Sequence, residues 1–329
     1  MQSSDNRVEI VRYGKKDETK WNEFVASSKN GLFLFNRNYM DYHSDRFIDH
    51  SLMFYYKDRL IGLLPAHVND NTMGSHGGLT FGGIISGFDM TTPLMLEVFD
   101  RLIEYLREVK IGKLLYKTVP YIYHIVPSEE DRYALFINNA VLARRDVTTT
   151  ISMPNKVNFQ ERRRRGIKKA VKAGLAVAQS EDYDTFMSIV NNTLRDKYNT
   201  SAVHTPGELK MLADRFKENI KLFVATSSGN CILGGVIVYE NRTVAHAQYI
   251  SSTEEGKAQG ALDLIFDFLI NGYYKEKRYF DFGISNEREG RYLNKELIEQ
   301  KEGFGARAVV HDAYELSVRK SVAKKLLRL

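Results

Sequence analysis

Several stretches carry residues able to do chemistry. Residues 252–265 read STEEGKAQGALDLI, and Gly256, Gln259 and Gly260 stand just ahead of a strongly helical run. A strand, a Gly-rich turn and a helix start offer free N–H groups and a positive dipole end to a phosphate. Lys257 would add a point charge, although a solvated loop leading into a helix explains the same residues equally well. Residues 280–285, FDFGIS, set Asp281 inside an apolar strand. A carboxylate there is costly unless it is paired or lies at the strand end. Asp281 therefore reads as a general base or, more strongly, as the structural partner of a nearby Lys or Arg. Tyr249, in HAQYIS, could protonate a leaving group or position a carbonyl, though a tyrosine among nineteen is more often packing. Gly74, Gly77, Gly78, Gly82, Gly83 and Gly87 form a second glycine-rich stretch. It reads more as a turn between strands than as an anion cradle.

Other chemistries are excluded. The chain has no phosphate-loop motif, no H-E-x-x-H pair and no G-x-S-x-G elbow. Its eight histidines lack ligand spacing, so no metal is expected. Cys231 is the sole cysteine, which rules out a disulfide scaffold; in its Cys-Ile-Leu run it reads as a small core residue. The net charge is +6 and is clustered at Arg162–Arg165, Lys168, Lys169 and Lys172, and again from Arg319 to Arg328. Such clusters suit polyanions: nucleic acid, lipid headgroups or nucleotide-bearing small molecules. No signal-peptide pattern and no run near the length of a membrane helix occurs, so a soluble, cytoplasmic protein is expected.

The elements that would position these residues recur. Residues 51–68 and 221–239 each read as strand, tight turn, strand. A helix follows each, from Leu94 and from Ala261, and then a basic turn and a strand. Asp100 and Asp267 stand 167 apart, and Tyr116 and Phe282 stand 166 apart. Similar order at similar spacing points to two copies of one mixed α/β unit, joined near Ser152–Asn155, where Pro154 disfavours helix before it. Beyond the join, helices are expected over 159–173, 182–194 and 206–217, with Asp182 or Asp184 as a cap. The last eleven residues, RKSVAKKLLRL, read as a short basic helix that packs back on the first half.

Three segments carry a family resemblance: ERRRRGIKKAVKAGLAV, HAQYISSTEEGKAQGALDL and FDFGISNEREGRYLNKELIEQKEGFGARAV. Over about Phe159 to Leu316 the chain resembles the second domain of the Fem-type branch of the GNAT acyltransferase superfamily. It is similar to bacterial GNAT proteins associated with polysaccharide biosynthesis. The resemblance implies tandem GNAT-like domains, 1–153 and 154–316, each a mostly antiparallel mixed sheet flanked by helices, with the 317–329 segment packing back on the first. It also implies that an amine attacks an activated carbonyl directly, with no covalent enzyme intermediate. The donor is acyl-CoA in ordinary GNAT enzymes and aminoacyl-tRNA in the peptidoglycan-bridge enzymes.

Residue by residue, the superfamily's pyrophosphate loop is Arg or Gln, two residues, Gly, one residue, then Gly or Ala. Aligned on Gly260, it has Lys257 at its head and Leu262 at its close. Lys301 matches the lysine ahead of the Phe-Gly of Fem-type enzymes, near donor phosphate or the reacting carbonyl. The expected donor-phosphate residues are Lys257, Gln259 and Gly260; Lys301, from the resemblance, joins Tyr249 and Asp281 as the expected catalytic residues, and His204 and Asn294 are expected on the acceptor side. The leading expectation is an N-acyltransferase using acyl-CoA or acetyl-CoA on a small amine, such as a nucleotide- or lipid-linked amino sugar of a cell-surface polysaccharide pathway. The alternatives are an aminoacyl-tRNA-dependent transferase of cell-wall precursor synthesis, which here lacks the long coiled-coil arm, and a non-catalytic GNAT-like binding protein.

Overall fold

The computed structural model describes residues 7–318. Within that span the chain forms two compact units, one of residues up to Arg145 together with those from Val310 onward, the other Asp146–Val309. The first contains β1 (Glu9–Arg12), α1 (Glu18–Ser27), α2 (Arg37–Met40), β2 (Leu52–Tyr56), β3 (Arg59–Leu64), β4 (His67–Asn69), β5 (Thr72–Gly74), β6 (Ile85–Ser86), α3 (Thr92–Glu108), β7 (Lys113–Lys117) and α4 (Glu130–Ile137). β8 (Val141–Ser152) leads into the second unit. There follow α5 (Glu161–Lys172), β9 (Ala176–Ser180), α6 (Tyr183–Tyr198), α7 (Pro206–Arg215), β10 (Ile220–Thr226), β11 (Ile232–Glu240), β12 (Val244–Ser252), α8 (Glu254–Gln259) and α9 (Ala261–Asp267). After α9 the helix widens into a π turn over Phe268–Tyr273, then come β13 (Tyr279–Ile284), β14 (Asn286–Glu287), β15 (Tyr292–Leu293) and α10 (Lys295–Glu302). β16 (Arg307–Ser317) returns the chain to the first unit.

The fold class is mixed α/β, as expected. In the first unit β1, β2, β3 and β6 lie side by side, all antiparallel. β5 pairs with β4 antiparallel and with β7 parallel, and β16 borders β7 antiparallel. α3 drives Met95, Val98, Phe99, Leu102 and Leu106 into the core beneath them, the 3.6-residue stripe of an amphipathic helix. In the second unit the order is β8-β13-β12-β11-β10-β9, with β12 and β13 as the one parallel pair of that run. α5 and α9 close one face over Ala245, Ala247, Phe280 and Phe282.

The two hairpins follow their turn chemistry. Lys57 and Asp58 both have positive φ, 51° and 59°, which suits the tight link between β2 and β3. Asp182 caps α6 through its carboxylate, 3.0 Å from the Thr185 N–H. Two expectations read differently in the structure, and a third falls almost wholly outside the described residues. The units divide between Arg145 and Asp146, within β8, rather than at Pro154. Cys231 is exposed, not in the core, because it closes the Ser227–Cys231 turn before β11 begins. The segment expected as a closing basic helix begins at Arg319 and lies outside the described residues; its neighbour Ser317, placed with it at the start, is the last residue of β16.

Candidate active site

β12 and β13 pair through three residues of each strand, Val244–His246 against Tyr279–Asp281, and then part. The gap holds a cavity of about 590 Å³, within the range of roughly 300–1,000 Å³ common for ligand pockets. Its apolar lining includes Ile250, Leu262, Phe266, Phe282 and Phe304. The rings of Phe282 and Phe304 stack at 5.6 Å, with Phe266 at 4.8 Å from Phe282. Arg162, Arg163, Lys197, Lys257 and Lys301 contribute to its walls against two acids, Asp263 and Glu296. The balance favours an anionic ligand. Arg163 is partly spent: it bonds Asp263 at 2.9 Å and lies over the Phe304 ring. Burial pushes the Asp263 carboxyl up despite that guanidinium.

Of the expected donor-phosphate residues, Lys257 and Gly260 line this cavity. Lys257 also pairs with Glu254 one turn earlier. Gly260 has φ +82°, and a Cβ there would stand 2.5 Å from the Gly166 carbonyl oxygen of α5. Glycine is therefore required where the chain turns from α8 into α9 against α5. Gln259 bonds the Glu255 carboxylate instead and does not line the cavity.

Lys301 also lines the cavity, and its ammonium donates to the carbonyls of Gly283 at 2.7 Å and Ile284 at 2.8 Å. Burial lowers its pKa to about 8, with the nearby Asp281 charge pulling the other way. Asn294 accepts from the Leu297 N–H and donates to Glu287. That makes it the N-cap of α10, the helix that carries Lys301.

The other expected residues gather on the opposite face of the sheet. A bulge in β12 brings this about. Ile237 sits across from Tyr249 and Val238 from Ala247, so Gln248 is the extra residue. Tyr239 sits across from His246, which puts His246 and Tyr249 on one face, away from the core-facing Ala245 and Ala247. The Tyr249 hydroxyl and Nδ1 of His204 are 2.7 Å apart. Asp281 is fully buried on β13, directly beside His246. Its Oδ1 accepts from the Thr148 hydroxyl at 2.5 Å and the Thr150 hydroxyl at 2.7 Å, and its Oδ2 lies 2.6 Å from Nδ1 of His246. Sequence reasoning gave His246 no role. The only sequence signal was its place in HAQYIS, because its partner stands 35 residues away.

Residues 158–292 match the family model described as an acetyltransferase (GNAT) domain. The chain as a whole has the Fem-type tandem GNAT fold. It superposes on the crystal structure of FemX with a TM-score of 0.65 at 12% identity, covering 92% of this chain and 96% of that one. L-PGS from Bacillus licheniformis gives 0.61 at 10% identity, covering 92% and 93%. A tandem GNAT protein from the clavulanic acid biosynthesis pathway gives 0.51 at 11% identity, covering 96% and 100%. No curated protein matches the chain by sequence. Most of the cavity's lining falls within residues 158–292, with Glu296, Leu297, Gln300, Lys301 and Phe304 beyond them. Among the described residues no cluster suited to a metal ion occurs, and no helix is long and apolar enough to cross a membrane.

Proposed function

We propose that the protein is an N-acyltransferase that moves an acyl group from acyl-CoA to the amine of a small substrate, an amino sugar on a phosphorylated carrier. The observation that carries this reading is the cavity between β12 and β13, lined by apolar side chains together with five basic ones. A CoA thioester has that polarity: a phosphorylated head, a thin arm and an acyl end. In this reading Lys257 meets the donor phosphates at the α8–α9 turn that Gly260 shapes, while Gln259 steadies the turn through Glu255. Lys301 fixes the two carbonyls beside the cavity and faces the donor carbonyl. Tyr249, with His204 behind it, faces the acceptor side and protonates the departing thiolate. Asn294 acts on the acceptor side only by holding α10 in place.

A second reading, aminoacyl-tRNA as donor, is favoured by α5. Arg162, Arg164, Arg165, Lys168, Lys169 and Lys172 are all exposed on it, and Arg162 reaches the cavity. Thermal shift with coenzyme A, acetyl-CoA, longer acyl-CoAs, UDP-amino sugars and bulk tRNA separates the readings. A ligand at 100 times its Kd adds about 2.7 kcal/mol of stability. A CoA shift that Lys257→Ala reduces supports acyl-CoA. A tRNA effect that fades steeply with salt, without a CoA shift, supports the second reading. Silence from every ligand supports a GNAT-like shell without catalysis.

A further inference from the structure

We propose that His246 is the general base of the transfer, its ring held by Asp281 and its Nε2 taking the proton of the attacking amine. The inference rests on the acyltransferase reading above and assigns the proton acceptor that reading lacks. Each neighbouring group is otherwise engaged. Asp281 has no exposed surface, and its two oxygens are taken up by two threonine hydroxyls and the imidazole. It acts through His246 as a positioning residue. The Lys301 ammonium is committed to two carbonyls and, while charged, accepts nothing. The Tyr249 hydroxyl is bonded to His204.

His246 differs from all of these. With Asp281 as an ionised acceptor, Nδ1 carries the ring proton and donates it to Oδ2. That leaves the Nε2 lone pair, which makes no hydrogen bond among the described residues. The side chain keeps 13% of its surface exposed. Its free edge borders Gly283, where a Cβ would stand 3.4 Å from Cε1 and 3.9 Å from Nε2. Gly283 has φ +76°, so glycine is favoured there on backbone grounds as well. His246 does not line the cavity; it lies on the other face of the sheet, at the last paired position before β12 and β13 part, and the gap opens beside it, with Phe282 lining the cavity and the Gly283 carbonyl accepting from Lys301. On that face Asp281 of β13 bonds the imidazole, Tyr239 sits opposite it on β11, and Tyr249 with His204 lies further along β12; Lys301 of α10 reaches the neighbouring Gly283 carbonyl.

The step balances as follows. The amine nitrogen attacks the thioester carbon, a C–N bond forms and the C–S bond breaks. One N–H proton passes to Nε2 and from there to water. The thiolate takes a proton from the Tyr249 hydroxyl, which regains one from solvent through His204. The products are the amide and free coenzyme A.

His246→Asn is the decisive variant, because the asparagine amide can still donate to Asp281 while the base is gone. Thiol release and amide formation are followed against pH with a saturating acyl-CoA and a panel of amino sugars, beside the thermal shift with coenzyme A. The expected result is a fall in kcat of about 10²–10⁴-fold, with an unchanged coenzyme A shift and loss of the acidic limb of the pH profile. Asp281→Asn, if it folds, should change the ring tautomer read by ¹⁵N NMR of His246. Wild-type turnover with undiminished kcat and an intact acidic limb in His246→Asn overturns the inference and leaves the acyltransferase reading standing. Absence of wild-type turnover and of any coenzyme A shift overturns both.

Discussion

The two units share an order of elements but treat the strand after their long helix in opposite ways. In the first, Tyr116 on β7 is fully buried, and its hydroxyl accepts from the Ile84 N–H at 2.6 Å and donates to Asp131 at 2.7 Å. It ties β7 to the segment leading into β6 and to α4. In the second, Phe282 stands 166 residues on, carries no hydroxyl, and lines the cavity where β13 leaves β12. Each unit also has a lysine bonded to two carbonyls. Lys117 holds those of His76 and Leu79, and Lys301 holds those of Gly283 and Ile284. Burial lowers both to about 8. The same device therefore serves a closed strand in one unit and the wall of a cavity in the other. An acyl donor needs the open version, and a scaffold is better served by the closed one.

The largest test of this contrast is Asp281→Ala. It strands two threonine hydroxyls and an imidazole in a buried place, and it should cost about 3 kcal/mol of stability and abolish transfer. Urea unfolding checks the first and turnover the second. Asp131→Asn in the first unit keeps a partner for Tyr116 and should leave transfer unchanged.

A smaller effect concerns pH. A lysine whose folded pKa lies below its unfolded value makes the unfolded state bind more protons between the two. The cost of burying Lys301 is then fully present below about pH 8 and is relieved as pH rises toward its ordinary 10.5. Lys301→Met should flatten the stability–pH curve over that window by about 2 kcal/mol relative to the parent. Lys117→Met should do the same, but only Lys301→Met should weaken the coenzyme A shift. Equal effects of both on that shift would break the contrast.

The smallest effect exchanges the strand residues themselves. Tyr116→Phe loses two hydrogen bonds and should cost about 1–2 kcal/mol, with donor binding intact. Phe282→Tyr should leave stability within about 1 kcal/mol and weaken donor binding several-fold, read by the same thermal shift. Undiminished binding in Phe282→Tyr would show that the donor does not pass that ring.

Much of the scaffold was legible because it rests on local rules. The tight turn between β2 and β3, the Asp182 cap and the helix expected from Leu94 follow from short-range sterics and local propensity. The glycine turn before α9 was legible for a different reason than the one found. Gly260 is needed for its left-handed φ and for contact with Gly166, whatever it does for a phosphate. Cys231 misled because an apolar neighbourhood in sequence does not fix where a turn ends. Gln259 misled because a side chain four residues before it on the same helix, Glu255, reached it first.

By itself the sequence determined the elements, their repetition, the basic clusters and the residue types at hand, since these depend on neighbours a few positions apart. Tertiary structure decided which of those residues meet. One extra residue in β12, Gln248, moved Tyr249 to the face of His246. The parallel pairing of β12 with β13 set Asp281 against His246 across 35 residues of chain. The early parting of that pair left space for a ligand. Strand register and splay depend on contacts between distant segments, and no local pattern encodes them.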